Sequence, residues 1–195
     1  MREGQSTKRA LPHGRASDKR EMSEIGQVFI ARCRHHFAED FLPKIERCLE
    51  FLSDEQIWWR ANPQSNSIGN LLLHLSGNVR QWIVSGIGGM IDARDRDAEF
   101  AERAMISRGE LLARLKQTLS AADNALANFD SDRLLERMQI QGCEVTALEA
   151  ILHVVEHFSM HTGQIILMSK VFAEVDLGFY DFSGPLPVSK WNRTP

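Results

Sequence analysis

The chain has 195 residues, 43% hydrophobic and 25% charged, the balance of one ordinary soluble domain. A formal net charge of −3 gives no global basic field, which argues against nucleic acid or an anionic membrane as partner. Its three cysteines, Cys33, Cys48 and Cys143, lie far apart without a CxxC pair, so neither a disulfide framework nor a thiolate zinc site is indicated, and they read as reduced, mostly buried thiols.

Residues 1–20 carry Arg2, Lys8, Arg9, Arg15, Lys19 and Arg20 among Gly, Ser and Pro, without the apolar core of a secretory signal. They read as a flexible basic tail, with 21–195 as the single folded domain. Residues 23–53 then place apolar side chains three and four apart, which predicts a first helix kinked near Pro43. Pro63 breaks the pattern. Asn66 or Ser67 offers an N-cap for a second helix over 68–89, which ends in glycines. After a charged connector over 93–107, Ser107 and Glu110 form the capping-box pattern of a third helix over 108–129. A short β-leaning stretch surrounds Gly142, and Thr146 with Glu149 opens a fourth helix. The last 20 residues or so, punctuated by Gly and Pro and rich in aromatics, read as an ordered loop packed across the helices. The expected fold is therefore all-α, four helices around one core. No apolar stretch reaches the ~20 uninterrupted residues of a membrane span, because His74 and Asn78, or His157 and His161, interrupt the best candidates. A cytoplasmic location is expected.

The fourth helix raises the functional question. His153, His157 and His161 recur every fourth residue and so project from one stripe of an otherwise apolar helix. The i, i+4 pair His157 and His161 has the spacing by which one helix offers a metal two imidazoles. A third ligand has to come from another helix, and the second helix supplies His74 between leucines. A lone buried histidine usually just bonds a carbonyl. With 7 histidines in 195 residues, however, the i, i+4, i+8 pattern arises by chance in roughly 1% of comparable chains, which favours a metal site.

The stretches NSIGNLLLHLSGNVRQW (66–82) and HVVEHFSMHTGQII (153–166) resemble the DinB/YfiT-like superfamily of four-helix bundles, over roughly residues 25–180. The likeness is closest to a branch known only as a domain of unknown function, with RDRDAEF (94–100) and GFY (178–180) as further branch-like features. The resemblance implies a divalent metal, Zn²⁺ or Ni²⁺, held by His74, His157 and His161, the last followed by Thr162, Gly163 and Gln164. It implies a role for His153 beside the ion rather than on it, with core packing as the alternative. The superfamily includes metal-dependent thiol transferases and a mycothiol-dependent isomerase.

Gln164 and Glu149 fall near the same stripe, and Asn70 and Asn78 flank His74 by one turn each; these polar groups can orient ligands or substrate, or simply cap or hydrate. RDRDAEF reads either as a solvated connector or as a loop whose Arg94 and Arg96 hold an anionic substrate, with Asp95, Asp97 and Glu99 arguing for internal pairing. Glu156 precedes His157 instead of following it, so the HExxH general base of a metallopeptidase is missing. No catalytic side chain stands out. Three neutral imidazoles leave a divalent ion an open position for water or a thiol, the pattern of a catalytic site. The resulting expectation is a metal-dependent thiol transferase acting on a small molecule. The competing one is a metal-stabilised bundle that binds a small molecule or forms a homodimer.

Overall fold

The stretches with apolar residues three and four apart become the long helical segments of the chain, and the computed structural model describes residues 16–174 and 176–191. The first segment runs through α1 (Ala16–His35), a π-helical turn (His36–Phe41) and α2 (Leu42–Glu50). The wide turn sits immediately before Pro43, and Leu42 N–H reaches back to Phe37 O across it. A proline has no N–H and its ring crowds the carbonyl four residues back. That carbonyl, of Glu39, accepts instead from Trp191 Nε1 at 3.0 Å, so the proline that disturbs the helix also creates the anchor for the C-terminal segment.

After the short α3 (Asp54–Trp58), α4 (Ile68–Val79) starts at Ser67, whose side chain caps the backbone while Asn70 bonds back. It continues through a π-helical stretch, Arg80–Ile87. The connector contains α5 (Arg96–Ala101), started by Asp95. Ser107 caps α6 (Arg108–Ala127) as expected, although the Glu110 side chain turns to Arg114 rather than closing the box. Thr146 and Glu149 form the full capping box of α7 (Ala147–Ala173).

These segments enclose one core, with Ile45, Leu49, Leu72, Leu75, Ile83, Leu115, Ile151 and Phe158 fully buried. The Phe158 ring stacks on Phe41 and meets Phe37 edge-on, each at 5.5 Å between centroids, tying α7 to the first segment. Helix α4 packs on both α6 and α7. The last contact creates the site.

The chain is mostly helical, with two small antiparallel hairpins, the first at the β-leaning stretch expected around Gly142 and the second in the C-terminal segment, where a loop was expected. Strands β1 (Arg137–Ile140) and β2 (Cys143–Thr146) are joined by Gln141 and Gly142, both at positive φ, the conformation a two-residue hairpin turn demands. Within residues 176–191 the C-terminal segment pairs β3 (Tyr180–Asp181) with β4 (Val188–Ser189). At the other end α1 already includes residues 16–20 of the expected tail, and 1–15 lie outside the described residues. Among the described residues no helix is long and apolar enough to cross a membrane.

The aromatic contact at Phe158 carries a measurable share of stability. Phe158→Ala removes a fully buried ring and should cost ~3–5 kcal/mol, read as a lower urea midpoint at unchanged slope.

Candidate metal centre

Helices α4 and α7 cross so that His74 of one meets His157 and His161 of the other. His157 Nε2 lies 2.9 Å from His74 Nε2 and 3.2 Å from His161 Nε2. His74 and His161 are buried and His157 is partly buried. Two nitrogens bound to one ion at ~2.0–2.1 Å sit roughly 2.8–3.4 Å apart at octahedral or tetrahedral angles, so both contacts of His157 suit a shared cation, and the three ligand atoms all lie within 4.8 Å of one another.

The far side of each ring tells which nitrogen carries the proton. His74 Nδ1 lies 2.9 Å from Glu99 Oε2 and 3.1 Å from Arg94 Nη2; Nη2 already donates to Glu99 and the carboxylate is the nearer partner, so Nδ1 donates to Glu99, while His161 Nδ1 donates to Gln164 Oε1 at 2.7 Å. A carboxylate or an amide oxygen can only accept, so both neutral rings present their Nε2 lone pairs toward His157. A proton on His157 Nε2 could satisfy only one of them. Three lone pairs aimed at one another repel unless a cation lies between, and this cluster can therefore hold a metal ion. Burial, and after it the neighbouring imidazoles, push His157 down to about 3, so it stays neutral and able to ligate through the physiological range. Burial lowers His161 as well.

The residue that holds His74 comes from the charged connector. Glu99 is clamped by Arg94, whose Nε and Nη2 donate to its two oxygens at 2.7 and 2.8 Å, while Arg94 Nη1 donates to Gln81 at 2.9 Å. The Arg94 side chain is only 3% exposed. Burial pushes the Glu99 carboxyl up, but its bonds to Arg94 and His74 outweigh this and hold it below its ordinary value. The internal pairing expected in RDRDAEF is present at Arg94–Glu99, and it corrects the two other readings: residues 95–98 are exposed but Arg94 and Glu99 turn inward, and Arg94 is no anion clamp, because Glu99 and Gln81 occupy its fork. Arg96 lies over the Phe100 ring, and Phe100 in turn packs on His74 at 4.5 Å.

Gly77, one turn beyond His74, makes room for this ion pair. A β-carbon there would stand 1.8 Å from Glu99 Oε1 and 2.9 Å from Arg94 Nε. Asn70 straps the same segment from below, donating Nδ2 to the carbonyls of Glu99 and Glu102 at 2.8 and 3.2 Å.

The remaining expected site residues divide. Gln164 touches His161 as anticipated, and Asn70 acts on Glu99 rather than on His74. His153 stays outside the cluster, its ring 4.3 Å from Trp82 and its Nε2 facing Asn78 Nδ2 at 3.5 Å. Burial lowers it. Glu149 is no part of the site, since both its contacts serve the α7 cap. Gly77 was not singled out from sequence, Arg94 was weighed only as an anion clamp, and Glu99 only as an internally paired acid, not as the partner of His74. The available signal was Gly77 itself, a glycine inside a helix that costs about 1 kcal/mol against alanine and so hints at a close approach.

A family model described as a protein of unknown function (DUF1572) matches residues 24–180. No curated protein matches the chain.

Two outcomes follow from this geometry. Gly77→Ala gains helix propensity but has to unseat the buried Glu99–Arg94 pair from His74, so it should lower the thermal midpoint and weaken the affinity of the cluster for an added divalent ion about 10- to 100-fold in a chelator-competition titration. In metal-free protein, His157 is depressed from 6.5 to about 3 on folding, so the unfolded chain takes up its proton first as pH falls. Its contribution is complete above 6.5 and lost progressively down to about 3. The thermal midpoint should fall across that window, with a shallower slope in His157→Gln.

Proposed function

Since the chain belongs to the DUF1572 family, whose model covers residues 24–180, we propose a role from the site itself: a divalent metal ion held by His74, His157 and His161, serving thiol transfer. The observation that carries this is the convergence of three Nε2 atoms whose opposite nitrogens at His74 and His161 are fixed by Glu99 and Gln164. Carboxylate or amide bonds to the far side of ligating imidazoles are the usual support of a metal site. We read the helical framework as a four-helix bundle of the DinB/YfiT-like type, with the ligands on its second and fourth long segments.

Among the described residues no fourth His, Cys, Asp or Glu joins the cluster, which leaves a bound ion a position for an exogenous ligand. Bound there, Zn²⁺ or Ni²⁺ would supply Lewis acidity that favours the thiolate form of a low-molecular-weight thiol near neutral pH. The protein's own groups favour thiol over water. Hydrolytic metal sites commonly pair the bound water with a general base, and Glu99, the carboxylate bonded to the cluster, is not free for that role, being held ionised by Arg94 and occupied by His74. Glu156 is exposed. A thiol needs no such base, because its proton is acidic enough to leave to solvent once the anion is stabilised. Phe100 covers one side of His74 and restricts solvent at the ring.

The test starts with composition. Protein purified without a histidine tag should contain near-stoichiometric zinc or nickel by elemental analysis, and His74→Ala and His157→Ala should contain none. Metal-loaded protein should then accelerate consumption of a small thiol by an alkylating electrophile, with the gain lost in a His161→Ala variant whose far-UV circular dichroism at the assay temperature is that of folded protein. Metal binding without thiol turnover would assign the ion to clamping α4 against α7, and no metal after reconstitution would overturn the reading altogether.

A further inference from the structure

Two of the three imidazoles have an acceptor for Nδ1–H, and the third does not. His157 Nδ1 is buried and has no hydrogen-bond partner among the described residues. If all three rings are to point lone pairs at one ion, His157 also has to be protonated at Nδ1, which makes this atom a donor. One other buried side-chain atom shares its condition among the described residues: Asn78 Oδ1, an acceptor. Asn78 is 3% exposed.

The fold brackets Asn78 beside His157. On α4 it lies one turn beyond His74, whose Nε2 touches His157 Nε2. Across the helix contact its Nδ2 faces His153, one turn before His157, and the two histidine rings are 5.6 Å apart. Trp82, another turn along from Asn78, covers His153 and is fixed by donating Nε1 to Gln141 Oε1 at 3.2 Å. A buried donor and a buried acceptor in this relation are complementary, and leaving both unmatched is costly.

A single heavy atom that accepts from one and donates to the other is a hydroxyl oxygen. An anion does not serve here, since it can accept from His157 but has no proton to donate to Asn78 Oδ1. We propose that Asn78 and His157 form a hydroxyl-binding subsite, in which one O–H group accepts from His157 Nδ1–H and donates to Asn78 Oδ1. Asn78 thereby becomes the positioning residue for His157, as Glu99 is for His74 and Gln164 for His161. The hydroxyl belongs either to a resident water or to the small molecule at the site. This subsite rests on the metal reading above.

Zinc-loaded protein labelled with ¹⁵N-histidine tests it, because long-range ¹H–¹⁵N spectra read the protonated nitrogen of each ring. Wild type should show His157 protonated at Nδ1, with that proton exchanging slowly. Asn78→Leu should speed the exchange and weaken zinc binding about tenfold while leaving His74 and His161 signals in place. Asn78→Asp, which keeps an acceptor, should restore both. Ethanol separates the two sources: a saturable shift of the His157 signal in wild type and none in Asn78→Leu assigns a ligand hydroxyl, and indifference to ethanol assigns water. Zinc-loaded wild type with His157 protonated at Nε2, or with an Nδ1 proton exchanging as fast as an exposed imidazole's, overturns the subsite alone. So does an Asn78→Leu variant identical to wild type in exchange and zinc affinity. Protein that binds neither zinc nor nickel overturns the metal reading, and the subsite with it.

Discussion

The buried Arg94–Glu99 ion pair, pressed against α4 at Gly77, is the constraint on which the site's geometry depends. Removing both charges from water costs several kcal/mol per ion, and such a pair is a poor source of stability by itself. It is retained where its geometry does something else. Here both Glu99 oxygens are held by one guanidinium fork, and one of them also fixes the His74 tautomer. Arg94 keeps the carboxylate charged and Glu99 keeps the imidazole lone pair aimed inward. The helix must present a bare backbone at Gly77 for either to reach that position.

The same residues that start the helices also assemble the site, so fold and function are not separable here. Asn70 closes the cap of α4 with one side of its amide and straps the Glu99 segment with the other. Thr146 and Glu149 fix where α7 begins, and hence the phase at which His153, His157 and His161 meet α4. At the opposite end, Pro43 frees the Glu39 carbonyl that Trp191 anchors on. Local backbone chemistry thus determines contacts between residues far apart in sequence.

The four long helical segments, their caps and the three-histidine cluster were legible in the sequence because each rests on short-range periodicity: apolar spacing, a Ser or Thr three residues before Glu or Asn, and imidazoles at i and i+4; the short α3 and α5 carry too few residues for such a pattern. Gln164 was legible for the same reason, being one turn from His161 on the same helix. Glu99 and Arg94 were not, because alternating charges are the usual mark of a solvated loop, and only the tertiary approach at Gly77 turns two of them inward. Glu149 fails the opposite way. It lies two turns from His157 and so seems to belong to the stripe, yet the orphan N–H groups at the start of α7 claim it first. The hairpin around Gly142 is too short to announce itself by alternation, and its turn residues are the main clue.

The polar groups of the α4–α7 contact also bear on stability. His74, Asn78, His161 and Thr162 are buried where apolar side chains would pack more favourably. Some of this cost is offset by hydrogen bonds within the contact, but converging lone pairs and two unmatched atoms at Asn78 and His157 are not. An ion that binds only the folded arrangement shifts the folding equilibrium by RT ln(1 + [ion]/Kd), about 4 kcal/mol at a thousandfold excess over Kd. That is of the order of the penalty such a contact carries. The ion we propose would therefore act on both scales at once, relieving a frustrated helix interface and, with three ligands only, leaving a coordination position for chemistry. A purely structural site has no reason to stop at three.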